Sequence, residues 1–471
     1  MNFTDFYMQL TLVAFLVIFA VVRRHSRVAM MMYVLAFNLY FAHRLNGMQM
    51  WLLPLTACLN YALVQEMSLR EGKARRLLLW AVVAADIGAL AYFKYTTFIF
   101  DDVIGALIDT NFSLHAVVMP VGVSFYTFQA VSYAVDVYRR RFTMEVTLLE
   151  YLFYLTFFPL LLAGPITRAA SLLPQLRRNS PASGRMVWTG LWLLMLGMLK
   201  KFVVADYIAQ FNNWVFESPQ SFSGFENMAA FLGYPVQIYL DFSGYSDMSI
   251  GVAAMLGIML PDNFRFPYRS LSLTEFWRRW HISLSTWFRD YLYIPLGGNR
   301  KGTLRMYLNN FVTMLVAGLW HGASWMFVIW GAMHGIGLAV HKFFSRQLGL
   351  RFPDNVVGNA LSWLLTYAYV CVAWTFFRAA DMGCAATMLT RMVTDFGTDW
   401  LVPFVCARPV WTLLVVVSML SWLVTERQYT RMQMRFICLP WAVKFVSFLV
   451  LAQLAVQMSS ENVQPFIYAA F

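Results

Sequence analysis

The chain has 471 residues, 60% of them hydrophobic and only 13% charged, with a net charge of +12. That composition excludes an ordinary soluble domain, and basic residues that fall between apolar runs rather than along one polar face speak against nucleic acid as a partner. It predicts an all-α polytopic membrane protein: a bilayer core asks for about 20 apolar residues per helix, and the recurring runs predict roughly ten to twelve such helices.

Barrel strands would alternate polar and apolar residues, and these runs do not. The first run, 6–22, has Asp5 before it and Arg23, Arg24 and Arg27 after it. This reverses the charge order of a signal peptide and predicts a retained helix with an outer N-terminus. Runs at about 28–43 and 48–66 lead to SLREGKARR at 68–76, predicted cytoplasmic from its basic residues. The run near 77–99 ends in an acidic segment, 100–112, predicted outside, and 119–138 returns to Arg139, Arg140 and Arg141.

Residues 147–164 are apolar, yet the segment after them is again basic. Either they form a re-entrant hairpin or the charge rule fails there, and Pro159, Gly164 and Pro165 favour irregular backbone inside protein. Residues 187–205 cross outward, and 227–260 return carrying DFSGYSD. The basic stretch 262–305 follows, and 276–296 holds too many arginines to span, so it is predicted to form helices at the cytoplasmic interface. Residues 306–320 re-enter the membrane and reach His321, 323–340 end at a basic loop, and runs at about 357–378, 409–424 and 440–457 close the chain.

His321 lies among apolar residues in LVAGLWHGASW. An ionisable group at membrane depth is costly and faces a cavity, a partner or a reaction path. One reading is a neutral histidine bonded to a backbone carbonyl. The other is a general base, because imidazole can take a hydroxyl proton near neutrality. His281 stands 40 positions earlier, where a structural role and a substrate-holding role are equally open.

His334 and His341 share a helix face but stand about 10.5 Å apart along its axis, too far for one metal ion, so no metal site is expected. The five cysteines have no CxxC pair and read as buried thiols. Arg278, Arg279, Arg289, Arg300 and Lys301 form the densest basic cluster, beside aromatic residues such as Trp280. It either contacts anionic membrane lipid or receives the phosphates of a nucleotide-like carrier, and both can hold at once. Asp241 and Asp247 either pair with interfacial arginines or line a hydrophilic pore. No GxSxG, Walker A or HExxH motif occurs.

Several stretches together carry a resemblance. They are MPVGVSFYTFQAVSYAVDVYR at 119–139, FFPLLLAGPITR at 157–168, YLDFSGYSDMSIG at 239–251 and PDNFRFPY at 261–268. FWRRWHISLSTWFRDYLYIPLGGNRKGTLR at 276–305, WHGASWMFVIWGAMHGIGLA at 320–339 and AWTFFRA at 373–379 complete them. Over about 75–390 the sequence resembles the membrane-bound O-acyltransferase (MBOAT) family, and within it the bacterial alginate O-acetylation branch; the flanking helices, 1–74 and 391–471, match mainly in hydropathy.

The resemblance implies a single integral membrane domain in the bacterial inner membrane, with funnels from both faces meeting near His321. His281 falls on the family's second histidine position, so both are candidate catalytic residues. An acyl thioester, with acetyl-CoA the expected donor, would enter from the cytoplasm. Arg278, Arg279, Trp280, Arg289, Arg300 and Lys301 would hold its phosphate-bearing end, and Asn310 or Trp320 would position the carbonyl. A periplasmic acetyltransferase partner would finish the transfer to an exported polysaccharide. The alternatives are acylation of peptidoglycan or teichoic acid, or a polysaccharide or lipid transporter.

Overall fold

A computed structural model describes residues 6–104, 118–162, 164–178, 180–350 and 352–458. Among these residues the regular structure is helical and no strand occurs. The chain divides into two compact units: Met1–Leu194 with Met248–Pro261, and Met195–Asp247 with Asp262–Phe471.

Among the described residues six helices are long and apolar enough to cross a membrane, or seven if a pair bent by 105° near Arg408 counts as one span. One of these, Arg27–Leu69, joins two of the expected runs, and other apolar runs fold as short helices, such as the nine residues Leu148–Thr156. The acidic segment 100–112, predicted outside, lies mostly beyond the described residues.

The first unit contains helices α1 (Phe6–His25), α2 (Arg27–Asn46), α3 (Leu52–Leu69), α4 (Gly72–Thr97), α5 (Val123–Tyr138), α6 (Leu148–Thr156) and α7 (Ala169–Arg178). Helix α6 opens on a capping box, in which Thr147 accepts from the Glu150 amide and Glu150 bonds back to Thr147. Its nine residues reach about 14 Å, under half of the ~30 Å core. Beyond it, Arg177 near the end of α7 returns to Glu150 through two 2.8 Å bonds, and Arg27 completes the group. The chain therefore turns back between Glu150 and Arg177, so that the two helices flanking 157–168 meet at one place.

Inside this unit, two buried asparagines are satisfied by other buried groups. Asn60 donates to Asp86 at 2.7 Å and accepts from the Tyr151 hydroxyl at 2.6 Å. Asn38, fully buried, donates to Thr156 and accepts from the Phe158 amide. Such pairing is what a chain in hydrocarbon must provide for groups that water cannot reach.

Helix α8 (Gly184–Met198) continues through a π-helical turn, Leu199–Ala205, into α9 (Asp206–Glu217), and the 32-residue α10 (Gly224–Met255) follows. The second unit then holds α11 (Leu273–Arg279), α12 (Ile282–Phe288), α13 (Thr303–His321), α14 (Trp325–Lys342) and α15 (Val356–Arg378). Helices α11 and α12 are seven residues each, too short to span, in line with the interfacial reading of 276–296.

Helices α13 and α14 form a tight hairpin whose contact is made by glycines. A Cβ on Gly331 would lie 2.6 Å from the Met314 carbonyl oxygen, and one on Gly318 would come 2.2 Å from that of Phe327. Small residues let the two backbones approach this closely. The turn between them is Gly322 to Ser324, and Ser324 caps α14 by accepting from the Met326 amide. His321 is the last residue of α13, so the hairpin turn delivers it.

Candidate active site

His321 is 4% exposed and surrounded by rings. Its centroid lies 5.0 Å from that of Trp320, 4.9 Å from Trp330 and 5.3 Å from Phe377, all in edge-on arrangements. Edge-to-face packing orients an imidazole without an opposite charge. Trp320 also lies 6.3 Å from the His281 ring, so the two predicted histidines border one indole.

His281 is fully buried and has a left-handed backbone, with φ of 41°. Phe242 packs edge-on against its ring at 4.7 Å, and Asn263 Oδ1 lies 2.9 Å from its Nδ1. Burial pushes the imidazole down to about 3, so it is neutral at physiological pH.

A third histidine belongs to the same assembly. His334, fully buried, accepts from Trp277 Nε1 at 3.3 Å, and its ring lies 4.8 Å from Trp330. Sequence reasoning had considered His334 only together with His341. The structure separates them, since His341 Nδ1 lies against the Thr274 hydroxyl at 3.1 Å.

Beside this group a cavity of about 1320 Å³ opens in the second unit. Its wall is apolar where Leu273, Ile336 and Val340 line it and basic where Arg265, Arg278, Arg279, Lys342 and Arg346 do. Gly337 lines the cavity, and Trp330 is seven residues earlier on the same helix, about 10 Å along its axis. Trp277, His334 and Trp330 thus fill the interval between cavity and His321.

Of the residues predicted to bind a donor, Arg278 and Arg279 line this cavity. Arg279 is also paired with Glu275 at 2.9 Å. Trp280 is placed differently: it is 1% exposed, with Phe264, Phe276 and Trp374 rings 5.0, 5.6 and 4.9 Å away, so its faces are occupied by the core. Arg289 pairs with its neighbour Asp290, and Arg289, Arg300 and Lys301 do not line the cavity. Asn310 accepts from Lys342 Nζ at 2.8 Å and lies three turns before His321, about 16 Å along α13, too far to position a carbonyl there. Trp320 stays beside His321.

Asp241 and Asp247 pair with lysines. Lys201, 1% exposed, reaches Asp206 at 2.7 Å and also Asp241, while Lys200 reaches Asp247 at 2.6 Å. Both lysines sit in the π-helical turn, whose altered pitch sets adjacent residues toward α10. The sequence signal was present: two lysines at the end of an apolar run need buried partners.

Comparison with known proteins places these residues in a context. The model of the membrane-bound O-acyltransferase family matches residues 141–386, which include both histidines and the glycine hairpin. The chain is 42% identical to "Probable alginate O-acetylase AlgI" of Pseudomonas aeruginosa over 70% of its own length and 62% of the relative's. Against "Peptidoglycan O-acetyltransferase" of Helicobacter pylori it is 36% identical, over 68% and 65% of the two lengths. Against "Teichoic acid D-alanyltransferase" of Bacillus subtilis it is 26% identical, over 56% and 69%. The match thus spans less than two thirds of the first two relatives.

Proposed function

Because the chain belongs to the membrane-bound O-acyltransferase family, we propose that it moves an acetyl group from a cytoplasmic thioester toward an exported polysaccharide. The observation that carries this reading is His321, buried at a hairpin turn and packed on Trp330, seven residues along α14 from Gly337 in the wall of a large, partly basic cavity. In the reaction the substrate hydroxyl oxygen attacks the thioester carbonyl while His321 takes the hydroxyl proton. The C–S bond breaks, the ester forms, and the proton passes to the departing thiolate. Rings around His321 exclude water that would otherwise hydrolyse the thioester.

The donor is acetyl-CoA in this reading. Arg278 and Arg279 receive its phosphates, joined by Lys342 and Arg346 on the same wall. The acceptor is an alginate-like exopolysaccharide, reached through a periplasmic acetyltransferase partner from the bacterial inner membrane. A second reading keeps the chemistry and changes the polymer, because relatives of this chain carry names that specify peptidoglycan and teichoic acid.

Proteoliposomes supplied with labelled acetyl-CoA test the proposal. Labelled ester on an added polysaccharide or partner, lost in His321→Ala, is the expected result. Wild-type transport of polymer without acyl transfer would return the chain to the transporter class. Offering alginate, peptidoglycan and teichoic acid fragments in parallel separates the two acceptor readings.

A further inference from the structure

Asn263 makes an unusual set of bonds around His281. Its backbone carbonyl accepts from the Ile282 amide at 2.9 Å. Its side-chain Oδ1 lies 2.9 Å from His281 Nδ1 and accepts from the Ser283 hydroxyl at 2.9 Å and from the Ser283 amide at 3.4 Å. Its Nδ2 donates to the Ser246 hydroxyl at 3.0 Å. Asn263 is 1% exposed and Ser246 equally buried, so water does not compete for these groups.

This pattern determines the histidine tautomer. The Ser283 backbone amide can only donate, so the Asn263 atom facing it is the oxygen. That same oxygen faces His281 Nδ1, which must therefore carry a hydrogen. In the neutral ring the lone pair then resides on Nε2. The left-handed backbone of His281 is held by the Asn263 bonds to its own ring and to the two residues that follow it, Ile282 and Ser283.

We propose that Asn263 is a positioning residue that fixes His281 as the Nδ1–H tautomer, so that Nε2 accepts a hydrogen bond from a substrate hydroxyl. His281 in this form cannot donate from Nε2 to the oxyanion of a tetrahedral intermediate. The two histidines then divide the work: His281 holds a hydroxyl and His321 removes the proton. This role rests on the transfer chemistry proposed above, whereas the tautomer itself does not.

Nitrogen NMR of the full chain labelled with ¹⁵N-histidine, with His281 assigned by its loss in His281→Gln, tests the tautomer on the wild-type protein. A protonated Nδ1 and a bare Nε2 are expected, and the reverse pattern overturns the proposal. Asn263→Asp keeps the accepting oxygen and should keep the tautomer, while Asn263→Leu should lose it. In acetyl transfer, Asn263→Leu should lower kcat at least about tenfold with the donor KM unchanged, and Asn263→Asp should recover much of that. Equal losses in both variants would make Asn263 merely a loop anchor and overturn the positioning role. Normal transfer by His281→Gln, with the wild-type tautomer as expected, would overturn the hydroxyl-holding role and leave the Asn263 assignment standing.

Discussion

Glu150 meets two arginines and the backbone of Thr147, whereas His321 meets the rings of Trp320, Trp330 and Phe377. Both groups are buried, but their surroundings serve opposite ends. Hydrogen bonds from Arg177 hold Glu150 down at about 2, so near neutrality it is a fixed charge tying the ends of a hairpin together. Rings pack edge-on around His321 from three sides. Buried polarity in this chain thus comes in two settings, carboxylates tied to cations and imidazoles packed among rings, and the proposed function assigns the chemistry to the second.

The sharpest way to break that contrast is His321→Ala. Acetyl transfer should fall at least ~100-fold, as expected for removal of a general base, while the melting temperature in detergent changes little. Unchanged transfer in a folded variant would remove His321 from the chemical group. Glu150→Gln should do the reverse. It should cost roughly 2–3 kcal/mol in a thermal or denaturant melt, below the figure for a fully buried pair because both arginines are about one third exposed, and leave kcat per folded molecule unaltered.

The cavity wall gives a smaller effect of a third kind. Arg278→Ala combined with Lys342→Ala should raise the KM for acetyl-CoA about tenfold, or ~1.4 kcal/mol, with kcat preserved. A donor lacking the nucleotide end should lose this difference, which a substrate comparison would read directly. If kcat falls instead, the basic wall acts on the reaction rather than on donor capture.

The smallest effect is the acid dependence of the hairpin. Glu150 has a folded value near 2 against 4.5 unfolded, so its contribution is present above 4.5 and lost as pH falls toward 2. The melting difference between wild type and Glu150→Gln should accordingly shrink between pH 5 and pH 2, roughly the window of the shift. A constant difference over that range would mean the ion pair does not hold the hairpin.

Much of the helical class was legible from composition and run length, because hydrocarbon admits few backbone solutions. His321 was legible because an ionisable side chain in an apolar run is costly, and Arg278 and Arg279 because their cluster is dense. Trp280, expected beside the donor, turns its ring into the core, because helical phase and not proximity to arginines in sequence decides which way an aromatic residue faces. Asn310 failed for a related reason, since eleven residues along a helix place it far from the histidine it seemed to serve. Lys200, Lys201 and Asn263 were missed, and His334 was read only beside His341, because their partners lie between 18 and 57 positions away.

The sequence by itself determined that this protein lives in a membrane, which segments are too charged to span, and which histidine falls within an apolar run. Those properties follow from transfer free energies, which add residue by residue along the chain. Tertiary structure alone decided that 147–164 turn back, that glycines press α13 against α14, that the buried aspartates meet lysines, and that Asn263 selects a histidine tautomer. Each of these depends on close approach between distant residues, and a hydrogen bond or a van der Waals contact carries no trace in local composition.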